Sequence, residues 1–371
     1  MTRTSDVRPG PDGFAAAPPA LVRNATAVWG DAGRQWLDAL PALVDAVARQ
    51  WGLTIGAPYS GLSYHWVAQV TDAAGAPAVL KLGPPGFGHL QDEAAALRAF
   101  DGHGAARLLD ADDQRGALLL EQVRPGSLLR DEVIAGRDAE ATAALVAVAT
   151  RLHRAAVEPR RDRVSAPEPV RDRVHTPEPA SGGTATPEPS PGAEPAPGSG
   201  DSGLPDVRQQ REAFPRYLQT FGDDGPLPRA LVERADRLFT ELCDSATRRV
   251  VLHGDLHHDN VLRAERAPWL AIDPHGVVGD PGYDAGALLY NPDPDRRDEA
   301  LLALVPARVE QLADGLGEPI ERITAWGFAV AMLSEVWDTE GRIPGASPAQ
   351  GGPGPTGRAF DVARILLPRL R

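Results

Sequence analysis

The chain has 371 residues and one cysteine, Cys243, and 38 Lys and Arg against 51 Asp and Glu give it a formal net charge of −13. That length suits two lobes around a cleft, while the charge argues against a nucleic-acid backbone as partner and is compatible with a cationic small molecule. A lone cysteine excludes an internal disulfide framework and a multi-cysteine metal site.

Residues 1–18, rich in Pro, Gly and Ala, read as a loose arm. Helical spacing runs from Trp36 to Trp51, with Leu37, Leu40, Leu43, Val44 and Val47 as its apolar stripe, and Gly52 ends it. Tyr64 to Thr71 and Ala76 to Leu82 read as strands joined by a hairpin turn over Asp72 to Gly75. Leu90 to Phe100 is strong helix material. Two more strands are expected at Ala106 to Leu109 and Ala117 to Leu120, giving a small lobe with a sheet of about five strands and a packed helix.

A long Ala-rich helix is expected from Ala135 to Ala156. Beyond it, Pro-Glu-Pro recurs every ten residues from Pro167, Pro177 and Pro187. Prolines remove backbone donors, and the segment has few apolar groups to offset ordering, so 158–206 reads as a disordered surface insertion. Helical material returns at Arg208 to Phe221 and Leu227 to Ala246. Two helices near 296–315 and 318–338, a Gly/Pro-rich loop over 341–357 and a short helix from Ala359 to Leu367 complete the pattern. No run of about 18 apolar residues reads as a membrane span, and the N-terminus lacks the apolar core of an export signal, so a cytoplasmic protein is expected.

The chemistry is concentrated in Val251 to Leu262, with Leu270 to Pro274 following. A buried strand leads through His253 and Gly254 to Asp255; Asn260 lies five residues on, and a second apolar strand ends in Asp273. A carboxylate to orient a hydroxyl, plus an amide and a carboxylate to hold the magnesium that carries phosphates, is the set that phosphoryl transfer from a nucleotide requires. His253 reads as a neutral imidazole tying the turn to backbone carbonyls, and His257 as a brace for the loop; zinc would need more converging ligands than this turn offers. Lys81 ends an apolar strand and Glu93 follows twelve residues later in a helix, a pairing that places an ammonium on the phosphates of ATP. Ser63, in a turn between strands, is placed to cover phosphates, and Glu121 to Val123 to connect the lobes and hold the adenine edge through its backbone. For the acceptor, Asp280, Asp284, Glu335 and Trp337 combine carboxylates for cations with a flat ring for a sugar face. Trp326 and Asp338 lie nearby in sequence.

The segments Leu252 to Leu262, Pro268 to Pro274 and Gly279 to Asp284, with the helix from Trp326 to Trp337, closely resemble the aminoglycoside phosphotransferase superfamily, in its streptomycin 6-phosphotransferase and hydroxyurea-resistance kinase branch. The resemblance spans most of 25–155 and 208–370. It implies an α+β, bilobal protein-kinase-like fold, with a small, mostly antiparallel β lobe over 19–123 and a larger helical lobe over 124–371. It further implies ATP and Mg2+ as cofactors, Asp255 as base, Asn260 and Asp273 as metal ligands, and Lys81 as the phosphate-binding residue. The implied reaction is phosphorylation of streptomycin at the 6-position, by a monomer that needs no protein partner, membrane or nucleic acid. Competing readings are a kinase for an amino sugar, hydroxyurea or a choline-like alcohol, and a nucleotide-binding pseudokinase. His275 stands where relatives often have lysine, Leu62 interrupts the phosphate loop, and the insertion is not a family feature.

Overall fold

A computed structural model describes residues 17–59, 62, 64–86, 88–155, 203–292, 298–341 and 357–370. The expected arm, Ser63 and the Pro-Glu-Pro repeats lie wholly or almost wholly outside the described residues.

Helix α1 (Pro19–Trp51) starts well before Trp36. Proline near its first position suits a helix start, because the donor that Pro lacks would be unpaired there anyway, and Gly30, at φ 55°, bends the helix within its length. Five strands follow: β1 (Thr54–Pro58), β2 (Trp66–Thr71), β3 (Pro77–Leu82), and, after α2 (His89–Phe100), β4 (Leu108–Asp112) and β5 (Ala117–Glu121). They form one antiparallel sheet in the order β1-β2-β3-β5-β4. Strand alternation divides β3 between two faces. Ala78, Leu80 and Leu82 join Trp66, Ala68 and Val70 in a core against Trp36, Leu40, Val44 and Val47 of α1. Lys81 belongs to the other face, where Leu118 packs on Leu90 and Ala94 of α2.

Beyond β5 the chain forms β6 (Pro125–Leu128), α3 (Arg130–Ile134) and α4 (Asp138–Ala155). The expected helix over 135–156 thus starts later, because Gly136, at φ 80°, separates the two. Helices α5 (Ala213–Phe221) and α6 (Arg229–Asp244) lead to β7 (Val250–Leu252), β8 (Val261–Ala264), β9 (Trp269–Ala271) and β10 (Val277–Gly279). Strand β7 pairs with β10, and β8 lies between β6 and β9. The chain ends through α7 (Ala285–Tyr290), α8 (Glu299–Leu302), α9 (Val305–Leu316), α10 (Ile320–Gly341) and α11 (Arg358–Leu366). Helix α10 is the spine of this lobe: Trp326, Phe328, Met332, Leu333 and Val336 are fully buried in its main core. Among the described residues, no helix is long and apolar enough to cross a membrane.

Helices α7 and α10 approach so closely that a Cβ on Gly286 would stand 2.4 Å from Cβ of Val330. Gly286→Ala gains up to about 1 kcal/mol of helix propensity but overpacks this crossing at about 1–3 kcal/mol. A net loss on the order of 1 kcal/mol is expected in denaturant unfolding; an unchanged or raised midpoint would show that the crossing yields freely.

Candidate active site

Strand β7 delivers the chain to a sharp turn held from behind. The Asp284 carboxylate accepts from the backbone N–H of His253 at 3.1 Å and of Gly254 at 2.8 Å, and it contacts His153 Nε2 at 2.8 Å. Gly254 adopts φ 85°, and any Cβ there would lie 3.1 Å from His275 Cβ, so the turn needs glycine. His253 Nε2 donates to Ile272 O at 2.9 Å, which leaves its Nδ1 to accept from the Asp255 N–H at 3.3 Å. Burial holds this imidazole below its ordinary pKa, although Asp284 and Asp255 pull upward. It is the neutral tie expected of it.

Asn260 ends a short helical turn, and its Nδ2 donates to Asp255 O at 2.9 Å. Because Val261 pairs with Ala271 and Ile272 N–H donates to Asn260 O, Asn260 comes beside the end of β9, where Asp273 begins the next loop. Asp273 has φ 59°, in the left-handed region that Asp tolerates better than most residues. Its carboxylate accepts from Lys81 Nζ, and the same ammonium donates to Glu93 Oε2 at 2.6 Å. Lys81 and Glu93 are buried, whereas 52% of the Asp273 side chain remains open. Lys81 of the small lobe, paired with Glu93, therefore meets Asp273 of the large one, beside the turn that carries Asn260 and Asp255. An ammonium and hard oxygen donors around an open carboxylate are chemically suited to a phosphate chain and its cation.

Other expected residues are placed differently. Glu121 spends its carboxylate on Arg266 Nε at 2.7 Å and Arg107 N–H at 2.9 Å, at the junction of β5 with β6. Val123 is buried with Ala106 and Leu270 at that junction. Asp280, expected at the acceptor, is 3% exposed and accepts from Gly282 N–H, Trp326 Nε1 and Arg322. Asp284, equally buried, holds the Asp255 turn as described. Glu335, 1% exposed, accepts from the N–H groups of Gly357 and Phe360 and so caps α11. These three acids are structural anchors, because each is saturated by donors of the protein itself. Trp337 is 38% exposed on the last turns of α10.

Sequence reasoning missed His65, which lies between Tyr64 and β2. Its ring centroid is 6.3 Å from that of Trp29, and burial, then the charge on Lys81, lowers its pKa to about 3 despite Asp273. Although it lies within the strand expected from Tyr64 to Thr71, a single histidine there carries no local signal of the contacts it makes. His89, at the first turn of α2, is likewise held low by burial and then by His275.

Residues 55–176 and 195–341 match the family described as aminoglycoside/hydroxyurea antibiotic resistance kinase. The chain is 31% identical over 345 residues to the streptomycin 6-kinase of Streptomyces glaucescens, covering 90% of this chain and 94% of that protein. It is 32% identical over 324 residues to the hydroxyurea phosphotransferase of Kitasatospora aureofaciens, covering 87% of this chain and 80% of the relative. The choline kinase LicA from Streptococcus pneumoniae has a similar structure, with a TM-score of 0.52 at 12% identity over 88% of this chain and 98% of that one. The chain shares its bilobal kinase-like architecture with that choline kinase.

Ionisation distinguishes the two carboxylates. Burial alone would raise Asp255, but the hydrogen bond and charge of His257, followed by His275 and His253, outweigh it and hold the carboxyl at about 2. Lys81, its nearest charge, holds Asp273 lower still. Removing the His257 imidazole leaves burial less opposed. His257→Ala is therefore expected to raise the Asp255 midpoint by at least about one pH unit, read from its carboxyl carbon by NMR. A midpoint still near 2 would show that His257 does not hold it.

Proposed function

The chain belongs to the aminoglycoside/hydroxyurea antibiotic resistance kinase family, and from that premise we propose that it phosphorylates streptomycin at the 6-hydroxyl. It is an ATP-dependent phosphotransferase acting on a small hydroxylated molecule. The choice of streptomycin rests on the likeness to two streptomycin 6-kinases, and the observation that supports phosphoryl transfer is the Lys81 ammonium, joined both to Glu93 on its own lobe and to Asp273 on the other. Held there, Lys81 pairs with the nonreacting phosphates of ATP, and Glu93 keeps its stem from swinging away.

The donor set fits magnesium. Asn260 commits its Nδ2 to Asp255 O, which leaves its amide oxygen as the ligand atom, and Asp273 adds a carboxylate that stays half open. Among the described residues no group of three or more His, Cys, Asp or Glu side chains forms a metal cage by itself. Such a sparse set suits a cation whose remaining ligands are water and phosphate oxygens. When bound, the ion neutralises charge on the transferring phosphoryl group.

Asp255 acts on the acceptor. A carboxyl held at about 2 is ionised at neutral pH, so it accepts a hydrogen bond from the attacking hydroxyl and fixes its direction. The hydroxyl oxygen forms its bond to the γ-phosphorus as the bond to the β,γ-bridging oxygen breaks. The hydroxyl proton passes late to Asp255 and then to solvent, leaving ADP and the phosphorylated acceptor. His257, 3.4 Å from Asp255 Oδ2, holds one carboxylate oxygen and leaves the other to the acceptor.

Release of ADP with streptomycin, kanamycin, glucosamine, hydroxyurea and choline tests the acceptor, with the product's position read by NMR. Turnover of streptomycin at its 6-hydroxyl is expected; turnover of the simpler compounds without streptomycin would overturn the assignment. Asp255→Asn is expected to lower kcat by about 10²–10⁴-fold while calorimetry finds ATP affinity within about twofold of the parent. Loss of both would identify Asp255 as a folding residue instead.

A further inference from the structure

One imidazole beside the Asp255 turn has no structural task. After Asp273 the chain makes a tight loop through Pro274, His275 and Gly276 before β10 begins at Val277. The backbone of this loop is fixed on both sides. The N–H groups of His275 and Gly276 donate to His253 O at 2.8 and 3.3 Å, which ties the loop to the turn before Asp255. Gly276 has φ 67°, and a Cβ there would stand 2.4 Å from Asp92 O, so the loop lies directly on α2 of the small lobe. Pro274 and Gly276 are buried, whereas Asp273 and His275 are exposed.

That backbone holds the His275 ring beside the base. Its Nε2 stands 3.9 Å from Asp255 Oδ2, beyond hydrogen-bond length, and 59% of the side chain is exposed. The same carboxylate oxygen already has His257 Nε2 at 3.4 Å and Asn260 Nδ2 at 3.4 Å, so the base is oriented without His275. Among the described residues the His275 ring makes no hydrogen bond. It packs no core either. A ring nitrogen left uncommitted on a rigid loop, next to a reacting carboxylate, is a donor held ready for a group that enters the cleft.

We propose that His275 is a further catalytic residue, whose Nε2–H donates to a nonbridging oxygen of the phosphoryl group in transfer. The assignment rests on the reading of Asp255 as the residue that orients the acceptor hydroxyl. That hydroxyl lies on Asp255, and the phosphates lie on Lys81 and the cation of Asp273, so the transferring group passes between the two carboxylates. His275 stands at that passage, in contact range of Asp255 and two residues from Asp273. Negative charge is spread over the nonbridging oxygens in the transition state, and a donor already in place stabilises it without reorganisation. The imidazole keeps its proton throughout, and no bond forms or breaks at it.

Nucleotide binding in the absence of acceptor tests the contact, because ADP lacks the γ-phosphoryl group that AMP-PNP carries. In His275→Ala, calorimetry with Mg2+ is expected to find affinity for AMP-PNP lowered by about tenfold and affinity for ADP within twofold of the parent, with melting temperature unchanged. In the parent, the His275 ring nitrogen signals are expected to move in NMR spectra on addition of AMP-PNP and to stay in place with ADP. With streptomycin, His275→Ala is expected to lower kcat by about 10²-fold and to leave the acceptor KM within twofold. His275→Gln, which keeps an N–H near the Nε2 position, is expected to recover most of that loss. Equal losses of AMP-PNP and ADP affinity, or no loss of either, would overturn the contact. An acceptor KM raised tenfold with AMP-PNP affinity intact would place the imidazole on the acceptor and overturn it as well. A parent that turns over no streptomycin defeats the acceptor reading alone, and the contrast between AMP-PNP and ADP still decides His275.

Discussion

The contact on which the site depends is the ammonium of Lys81 held between Glu93 and Asp273. Taking a lysine out of water is expensive, and its carboxylate partners must offset that cost. Removing one partner of a buried pair typically costs about 3–5 kcal/mol, because a charge is left uncompensated. Apolar residues in the same space would avoid the expense, so the arrangement is better explained by what the ammonium does than by stability. It also reaches across 192 residues of sequence to join the sheet of one lobe to a loop of the other. Charge joins the lobes at Lys81, and apolar packing joins them at α2, where Ala96, Leu97 and Phe100 belong to the main core of the large lobe.

A second group of acids does mechanical work around that charge. Asp284 makes the turn before Asp255 rigid, Asp280 binds α10 to the loop after β10 through Trp326 and Arg322, and Glu335 starts α11. Each takes up backbone N–H groups that would otherwise be buried unpaired, and this gives a carboxylate a structural role at low exposure. Close glycine crossings at Gly282 and Gly286 then set α7 alongside α10. The path from Asp284 through α7 and across to α10 therefore has little slack.

Legibility followed the range of the interactions. Alternation in β2 and β3 and the helical stripe ending at Trp51 are local patterns, and they marked the small lobe correctly. Strands β1 and β6 were missed because each is short and contains Gly and Pro. The pairing of Lys81 with Glu93 was readable because strand and adjacent helix place them together. The acids at 280, 284 and 335 were misread because their fate depends on distant partners. His153 lies 131 residues from Asp284 and Trp326 lies 46 from Asp280, and nothing local announces either contact.

Anomalous diffraction from Mn2+ bound together with a nonhydrolysable ATP analogue tests the central claim most directly. Manganese is expected within about 2.2 Å of oxygen atoms of both Asn260 and Asp273, with Lys81 on the nonreacting phosphates and still joined to Glu93. A metal peak away from those two side chains, or a nucleotide that leaves Lys81 without a phosphate contact, would contradict the account.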